Sequence, residues 1–352
     1  MKIPFEEVIE VLQNLIRIPS PSRGEEITAD FLYKYFKSKN LDPVRHLNNI
    51  YIKNKYFDSQ KKNILLNSHL DTVKPNPEWN HDPYNPIIID GKLYGLGSND
   101  AGGSLVSLLA TFIHFYDKKN LKYNIIFLMS AEEEISGKGG VESVLPELDS
   151  ITFGIVGEPT EMKMAIAEKG LMVIDCISHG RSGHAAGEEG VNSIYLAIKD
   201  IERIRNFRFP KKSKLLGEVK MTVTMIKAGA QHNVIPESCH FVIDVRSTDS
   251  YTNEEILKNI RDHLSSEVNV RSIRLQPSFI SKNHKLVKSA CDIGLSLFGS
   301  STLSDQALMS FPTVKIGPGN SKRSHTADEF IQVNEIKEAI EIYVKLLERL
   351  IL

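Results

Sequence analysis

Apolar residues recur at helical spacing in Phe5, Val8, Ile9, Leu12, Leu15 and Ile16, and Ile27, Phe31, Leu32, Tyr35 and Phe36 roughly repeat the pattern. Two amphipathic helices are therefore predicted to open the chain. Short, mostly apolar runs follow at 64–66, 125–129 and 153–156, with a helical stretch at 105–115 between the first two. Continuous runs of that length suit strands buried on both faces, as in an α/β sheet covered by helices. Each run ends in polar residues, and in open α/β sheets the crevice outside the strand carboxyl ends is where sites form.

The pattern changes near residue 168. Segments 172–178, 219–225, 241–245 and 270–275 are shorter or alternate, as half-exposed strands do. Between them lie two helical patterns, one with Val191, Ile194, Tyr195, Ile198 and Ile201, the other with Ile256, Leu257, Ile260 and Leu264. Read in order this is βαββαβ, a ferredoxin-like α+β unit large enough to be a domain. A strand-like segment at 312–316 and a helix through Ile336, Ile340, Tyr343, Leu347 and Leu350 close the chain. The expected organisation is a catalytic domain of residues 1–167 and 277–352 interrupted by an inserted domain of residues 168–276.

Composition agrees with two soluble domains. At 352 residues the chain exceeds the ~250 to 300 at which single cores stop growing. Its 43 basic and 44 acidic residues give a net charge of -1, so no basic excess points to nucleic acid or an anionic membrane. Cys176, Cys239 and Cys291 are odd in number and unpaired in spacing, which suits reduced thiols. Glu6, Glu7 and Glu10 interrupt the first apolar stretch, unlike a signal peptide, and no run approaches the ~18 apolar residues of a membrane span. A cytoplasmic protein is expected.

The polar strand ends carry the chemistry. His69 and Asp71 stand two apart in NSHLDT, so on a strand both point to one face. Asp100 follows the glycines of GLGSND, where a dinucleotide fingerprint would need a small residue. Glu132, Glu133 and Glu134 follow the run at 125–129, Glu158 follows that at 153–156, and His325 lies in GPGNSKRSHTADE. Singly these read as a glycine turn, a solvated helix start or loop residues. Together they are nitrogen and oxygen donors without thiolate, and carboxylates that close would repel one another. A dinuclear divalent-metal site resolves the conflict.

The HLDT, GLGSND, AEEE, GEPT and SHTADE segments, in this order, resemble the zinc-dependent amidohydrolase and peptidase family that contains acetylornithine deacetylase, succinyl-diaminopimelate desuccinylase, aminoacylase and glutamate carboxypeptidase. The resemblance spans essentially the whole chain. It implies an α/β, zinc-peptidase-like catalytic domain with a mixed sheet flanked by helices. The inserted domain would serve as a lid and dimerisation unit. It also implies two zinc ions, one held by His69, Asp100 and Glu158, the other by the bridging Asp100 with Glu133 and His325. Asp71 would orient His69, and Glu132 would be the general base. Glu134 leaves open a one-residue shift that would move both glutamate roles. From the lid, His184 would stabilise the oxyanion in the partner subunit's site, and Asn233 and Arg246 would contact substrate, Arg246 as a planar fork to a carboxylate. Ser304, with Asp305, reads either as a lining loop or as a turn cap.

The resemblance implies hydrolysis of an N-acyl amino acid, with N-acetylornithine or its N-succinyl form expected to yield ornithine in arginine biosynthesis. Glu134 is then a candidate partner for ornithine's side-chain ammonium. The alternatives are a desuccinylase of diaminopimelate synthesis, a dipeptidase or carboxypeptidase, or a non-catalytic binding protein that kept the fold. Cobalt or manganese would also suit histidine and carboxylate donors.

Overall fold

The apolar runs of the first half become the strands Asn63–His69, Asn124–Ser130 and Ile151–Val156 of a mixed nine-stranded sheet in a computed structural model, which describes residues 2–352. Every residue of the first two strands is buried, as strands covered on both faces require. Asn63–His69 lies between the other two and parallel to both, with His69 opposite Ser130 and Asn67 opposite Val156. Thr313–Lys315 extends the parallel set, with Lys315 opposite Val156. A parallel register puts four carboxyl ends on one edge. The segments that follow His69, Ser130, Val156 and Lys315 thus leave the sheet side by side.

The helix Gly103–Tyr116 is buried along almost its whole length and packs against the C-terminal helix Val333–Ile351. Its interior hydroxyls are satisfied one turn back: Ser107 donates to the Gly103 carbonyl at 2.7 Å and Thr111 to the Ser107 carbonyl at 2.8 Å. Leu65, Ile126, Leu128, Val141, Val144 and Val156 form one buried cluster of the sheet's core.

Two compact units divide the chain. The first runs to Ile166 and takes up Phe279–Phe298 and Ser304–Leu352; the second comprises Ala167–Ser278 and Gly299–Leu303. The short return at 299–303 has no counterpart in the expected 168–276. It joins the second unit through a tertiary contact, Lys169 N–H to the Ser300 carbonyl at 3.2 Å, which no local pattern announces.

The second unit is a four-stranded antiparallel sheet in the order Lys220–Ala228, Ser238–Ser247, Gly170–His179, Glu267–Val270. Numbered along the chain this is 2-3-1-4, the order of a split βαβ arrangement. Gly170–His179 alternates buried and half-exposed residues, and its buried Met172, Ile174 and Cys176 meet Ala197 and Ile204 of helix Ser193–Asn206 and Ile256 and Ile260 of helix Asn253–His263. The last strand ends at Val270 rather than continuing over 270–275. A three-stranded sheet of Ile87–Ile89, Lys92–Tyr94 and Phe330–Gln332 in the first unit escaped the pattern reading. Three-residue strands carry too little periodicity to register. Among the described residues no helix is long and apolar enough to cross a membrane.

Candidate metal centre

His69 ends its strand almost fully buried. Its Nδ1 faces Asp71, 2.9 Å from the backbone carbonyl and 3.5 Å from Oδ1. A proton held there leaves the Nε2 lone pair of the neutral ring turned outward. Nε2 lies 3.2 Å from Asp100 Oδ1 and 3.8 Å from Glu158 Oε1. On the far side of Asp100, His325 Nε2 is 3.7 Å from Asp100 Oδ2 and 2.9 Å from Glu134 Oε2. His69, Asp100 and Glu134 bring ligand atoms within 4.8 Å of one another, and so do His69, Glu133 and Glu158.

The turn after Ser130 decides which glutamates take part. Glu132 has φ +55, and the short 3-10 turn Glu133–Ile135 follows it. This left-handed residue sends the Glu132 side chain away from the histidines, toward the loop of Gly137 and Gly139. There it accepts the Gly139 N–H at 3.3 Å and lies 3.9 Å from Arg23 Nε. A Cβ on Gly137 or Gly139 would collide with that carboxylate. Glu132, expected as general base, thus stands outside the donor cluster. Glu133 and Glu134 face it, one residue later than expected. Glu134 is also engaged by His325, so it is not a free acid awaiting a substrate ammonium.

Charge crowding follows from the geometry. Burial pushes the Glu133 carboxyl well above the usual carboxylate range, against the pull of His69 and with help from Glu158, Asp305 and Glu134. Burial alone would push the His69 imidazole down, yet hydrogen bonds with Asp100 and Asp71 and the charges of Glu133 and Glu158 hold it well above its ordinary value. The hydrogen bond that His325 donates to Glu134 brings the imidazole to about 9. Carboxylates and imidazoles at such close range share protons that divalent cations would replace, and an all nitrogen-and-oxygen donor set suits zinc, cobalt or manganese.

Residues 65–349 match the model of peptidase family M20/M25/M40. The chain belongs to this family. Membership makes it a metal-dependent hydrolase. Along its length the chain is 26% identical to the acetylornithine deacetylase of Buchnera aphidicola subsp. Schizaphis graminum, covering 99% of this chain and 98% of that one. It is 28% identical to the [LysW]-lysine/[LysW]-ornithine hydrolase of Saccharolobus solfataricus, covering 97% and 95%. Its fold is that of aminopeptidase PepT from Bacillus cereus, with a TM-score of 0.77, 19% identity and 98% of each chain covered. It is also that of YXEP from Bacillus subtilis, described as a dinuclear metal-binding peptidase of the M20 family, with a TM-score of 0.74, 14% identity and 98% of each chain covered.

In this M20 chain the other expected site residues fall in two places. Within the second unit, the exposed His184 sits on the two-residue strand Gly183–His184, paired with Val234–Ile235, and its Nδ1 accepts the Ala186 N–H at 3.1 Å. Asn233 adjoins it, its carbonyl accepting the Ala185 N–H at 2.9 Å. Arg246 lies at the other end of strand Ser238–Ser247 with its fork already engaged: Nε and Nη2 donate to Asp244 at 2.9 and 3.1 Å. Residues two apart on a strand share a face, which explains the pairing and departs from a fork free for substrate. In the first unit Ser304 is 1% exposed and its hydroxyl accepts the Gln306 N–H, capping the short helix Asp305–Leu308. The hydroxyl thus serves as a turn cap. Its neighbour Asp305 reaches the strand ends instead, accepting from Ser130 Oγ at 2.6 Å, and burial raises its carboxyl to about 6.

Proposed function

We propose that this M20 chain removes the acyl group of an N-acyl amino acid, with N-acetylornithine or N-succinylornithine as substrate and ornithine as product. The observation that carries the reading is the close array of Glu158, His69, Asp100, His325 and Glu134 with Glu133 beside it, which runs from the buried His69 to the exposed His325. Both full-length relatives described above carry ornithine in their names, which supports the choice of amino acid.

His69, Asp100 and Glu158 would hold one divalent cation, and Asp100, Glu134 and His325 a second, with zinc the expected ion. Such ions supply Lewis acidity toward the scissile carbonyl and a more acidic water. Glu133 takes the proton of the attacking water and returns it to the leaving nitrogen. Its raised carboxyl suits a base that must also act as an acid near neutral pH. Asp71 keeps the His69 proton on Nδ1.

The second unit serves as lid and dimerisation domain, with His184 and Asn233 acting in the partner's site. Its edge strand Lys220–Ala228 has a neighbour on one side only and exposes Met225 and Ile226, while the helix Ser193–Asn206 exposes Tyr195 and Ile198. An unpaired apolar edge beside an apolar helix face suits a second copy of the chain. The cytoplasm is the expected compartment.

Hydrolysis of N-acetylornithine against N-succinylornithine by zinc-loaded protein, with a chelated control, tests the reading. Chelator-sensitive turnover of either supports it and names the acyl group. Inactivity on both with two metals bound moves the substrate to N-succinyl-diaminopimelate or dipeptides, and a chain that binds neither metal nor substrate is the non-catalytic alternative.

A further inference from the structure

The two turns that carry Asp100 and the glutamates are fastened by buried carboxylates from elements far away in the chain. Glu329, 2% exposed, accepts two successive backbone amides through one oxygen: Asn99 N–H at 2.8 Å and Asp100 N–H at 2.9 Å. Glu25, fully buried, likewise accepts the Arg23 N–H at 2.8 Å and the Glu132 N–H at 3.1 Å through Oε1, while Oε2 accepts Asn48 Nδ2 at 3.0 Å. Asn49 Oδ1 takes the Ala131 N–H at 2.9 Å, and Asp71 takes those of Glu133 and Glu134. Four consecutive amides, Ala131 to Glu134, therefore end on side chains rather than on a backbone ladder. In irregular backbone at the end of a strand, such acceptors are what selects one conformation.

We propose that Glu25 and Glu329 are positioning residues that set the two metal-facing turns before any cation binds: Glu329 aims Asp100, and Glu25 holds the left-handed Glu132 so that Glu133 and Glu134 turn inward. This rests on the reading above for what the turns hold, but the fastening itself belongs to the metal-free chain. Neither carboxylate belongs to the two groups of donors whose atoms converge within 4.8 Å. Each acts as an acceptor, and the amide oxygen of glutamine can accept the same backbone N–H groups, the Asn48 amide in Glu25→Gln turning to present its oxygen to the new N–H₂.

The test compares Glu25→Ala, Glu329→Ala, Glu25→Gln and Glu329→Gln with the wild type, each checked for folding by circular dichroism. Amide hydrogen exchange in the metal-free protein is expected to quicken at least about tenfold at Asn99 and Asp100 in Glu329→Ala and at Glu132 in Glu25→Ala, and to stay near wild type in the glutamine variants. Zinc titration is expected to show about 10- to 100-fold weaker binding at both sites in Glu329→Ala, but mainly at one site in Glu25→Ala, as loss of groups that orient ligands typically produces. kcat would fall in both alanine variants with KM little changed. Wild-type exchange at these amides in the alanine variants would overturn the proposal, as would quickened exchange with wild-type zinc affinity and kcat, or glutamine variants as impaired as alanine ones. A wild-type chain that takes up no zinc would instead overturn the metal-site reading, with the exchange data still deciding the fastening.

Discussion

Asp71 Oδ1 accepts the backbone N–H of Glu133 at 3.0 Å, and Oδ2 accepts that of Glu134 at 3.2 Å together with the Ser22 hydroxyl at 2.7 Å. The same carboxylate lies 3.5 Å from His69 Nδ1. One buried group thus ties the imidazole at the end of one strand to the acidic turn at the end of its neighbour. Asp71→Asn keeps one acceptor oxygen and places an N–H₂ against a backbone N–H. It should lower kcat and zinc affinity by about 10- to 100-fold, read by steady-state kinetics and calorimetric titration; wild-type values for both would deny Asp71 this link.

The three glutamates should separate cleanly by substitution. Glu133→Gln is expected to keep both metals and lose at least ~10²-fold in kcat, the usual contribution of a general base. Glu134→Gln should instead lose one equivalent of metal. Glu132→Gln should stay within a few-fold of wild type in both respects, since its carboxylate lies against Gly137 and Gly139. A Glu132→Gln variant that binds two metals and is inactive would return the base to that position.

The metal-free protein should lose stability as pH rises. Burial lifts Glu329 to about 8 and Asp305 to about 6, and the bond to Glu134 lifts His325 to about 9. A group whose folded pKa lies above its unfolded value stabilises fully below the unfolded value and loses that contribution as pH climbs through the folded one. All three act in the same direction, so Tm of the chelated protein is expected to fall between about pH 5 and pH 9.5. A Tm that rises across that window contradicts the assignment.

Cations should reverse that trend. Because a metal binds imidazole and carboxylate in their deprotonated forms, zinc affinity should increase with pH toward about 9, the value His325 must be titrated through. Zinc at 100 times its Kd should add about 2.7 kcal/mol per site to stability. Proton release on zinc binding, measured by titration in buffers of different ionisation enthalpy, checks the coupling.

Charging the exposed edge should dissolve a dimer. The wild type is expected to sediment as a dimer and Met225→Lys with Ile226→Lys as a monomer at the same concentration. His184→Ala should lower kcat far more than it raises KM. If His184 acts across the interface, the edge variant should show the same kcat loss; a fully active monomer would refute sharing.

Much of the architecture was legible along the chain. Apolar runs ending at Leu66, Met129 and Val156 mark strands because a strand buried on both faces must be apolar throughout. The alternation from Met172 onward marks strands with one covered face, and the long helices declare themselves by period. His69, Asp100, Glu158 and His325, each weak alone, stood out only together, as nitrogen and oxygen donors after successive strands and glycine loops in the order the family resemblance implies. For Ser304 and Arg246 the sequence left the partner open: the hydroxyl caps a helix start, the cap alternative of its reading, and the guanidinium pairs with Asp244. No pattern of residue types distinguishes those local partners from a substrate.

What sequence by itself determined is therefore the longer apolar and alternating strands, the amphipathic helices and the donor types that follow the strands, because periodicity and residue chemistry are local properties. Which of three adjacent glutamates faces the histidines was decided only in three dimensions. That choice depends on a positive φ at Glu132, on an amide captured by Glu25 from 107 residues away, and on Asp71 reaching across a parallel strand pair. A run of identical side chains carries no information about its own backbone turn; long-range hydrogen bonds supply it, because irregular backbone adopts whichever conformation leaves its buried amides paired.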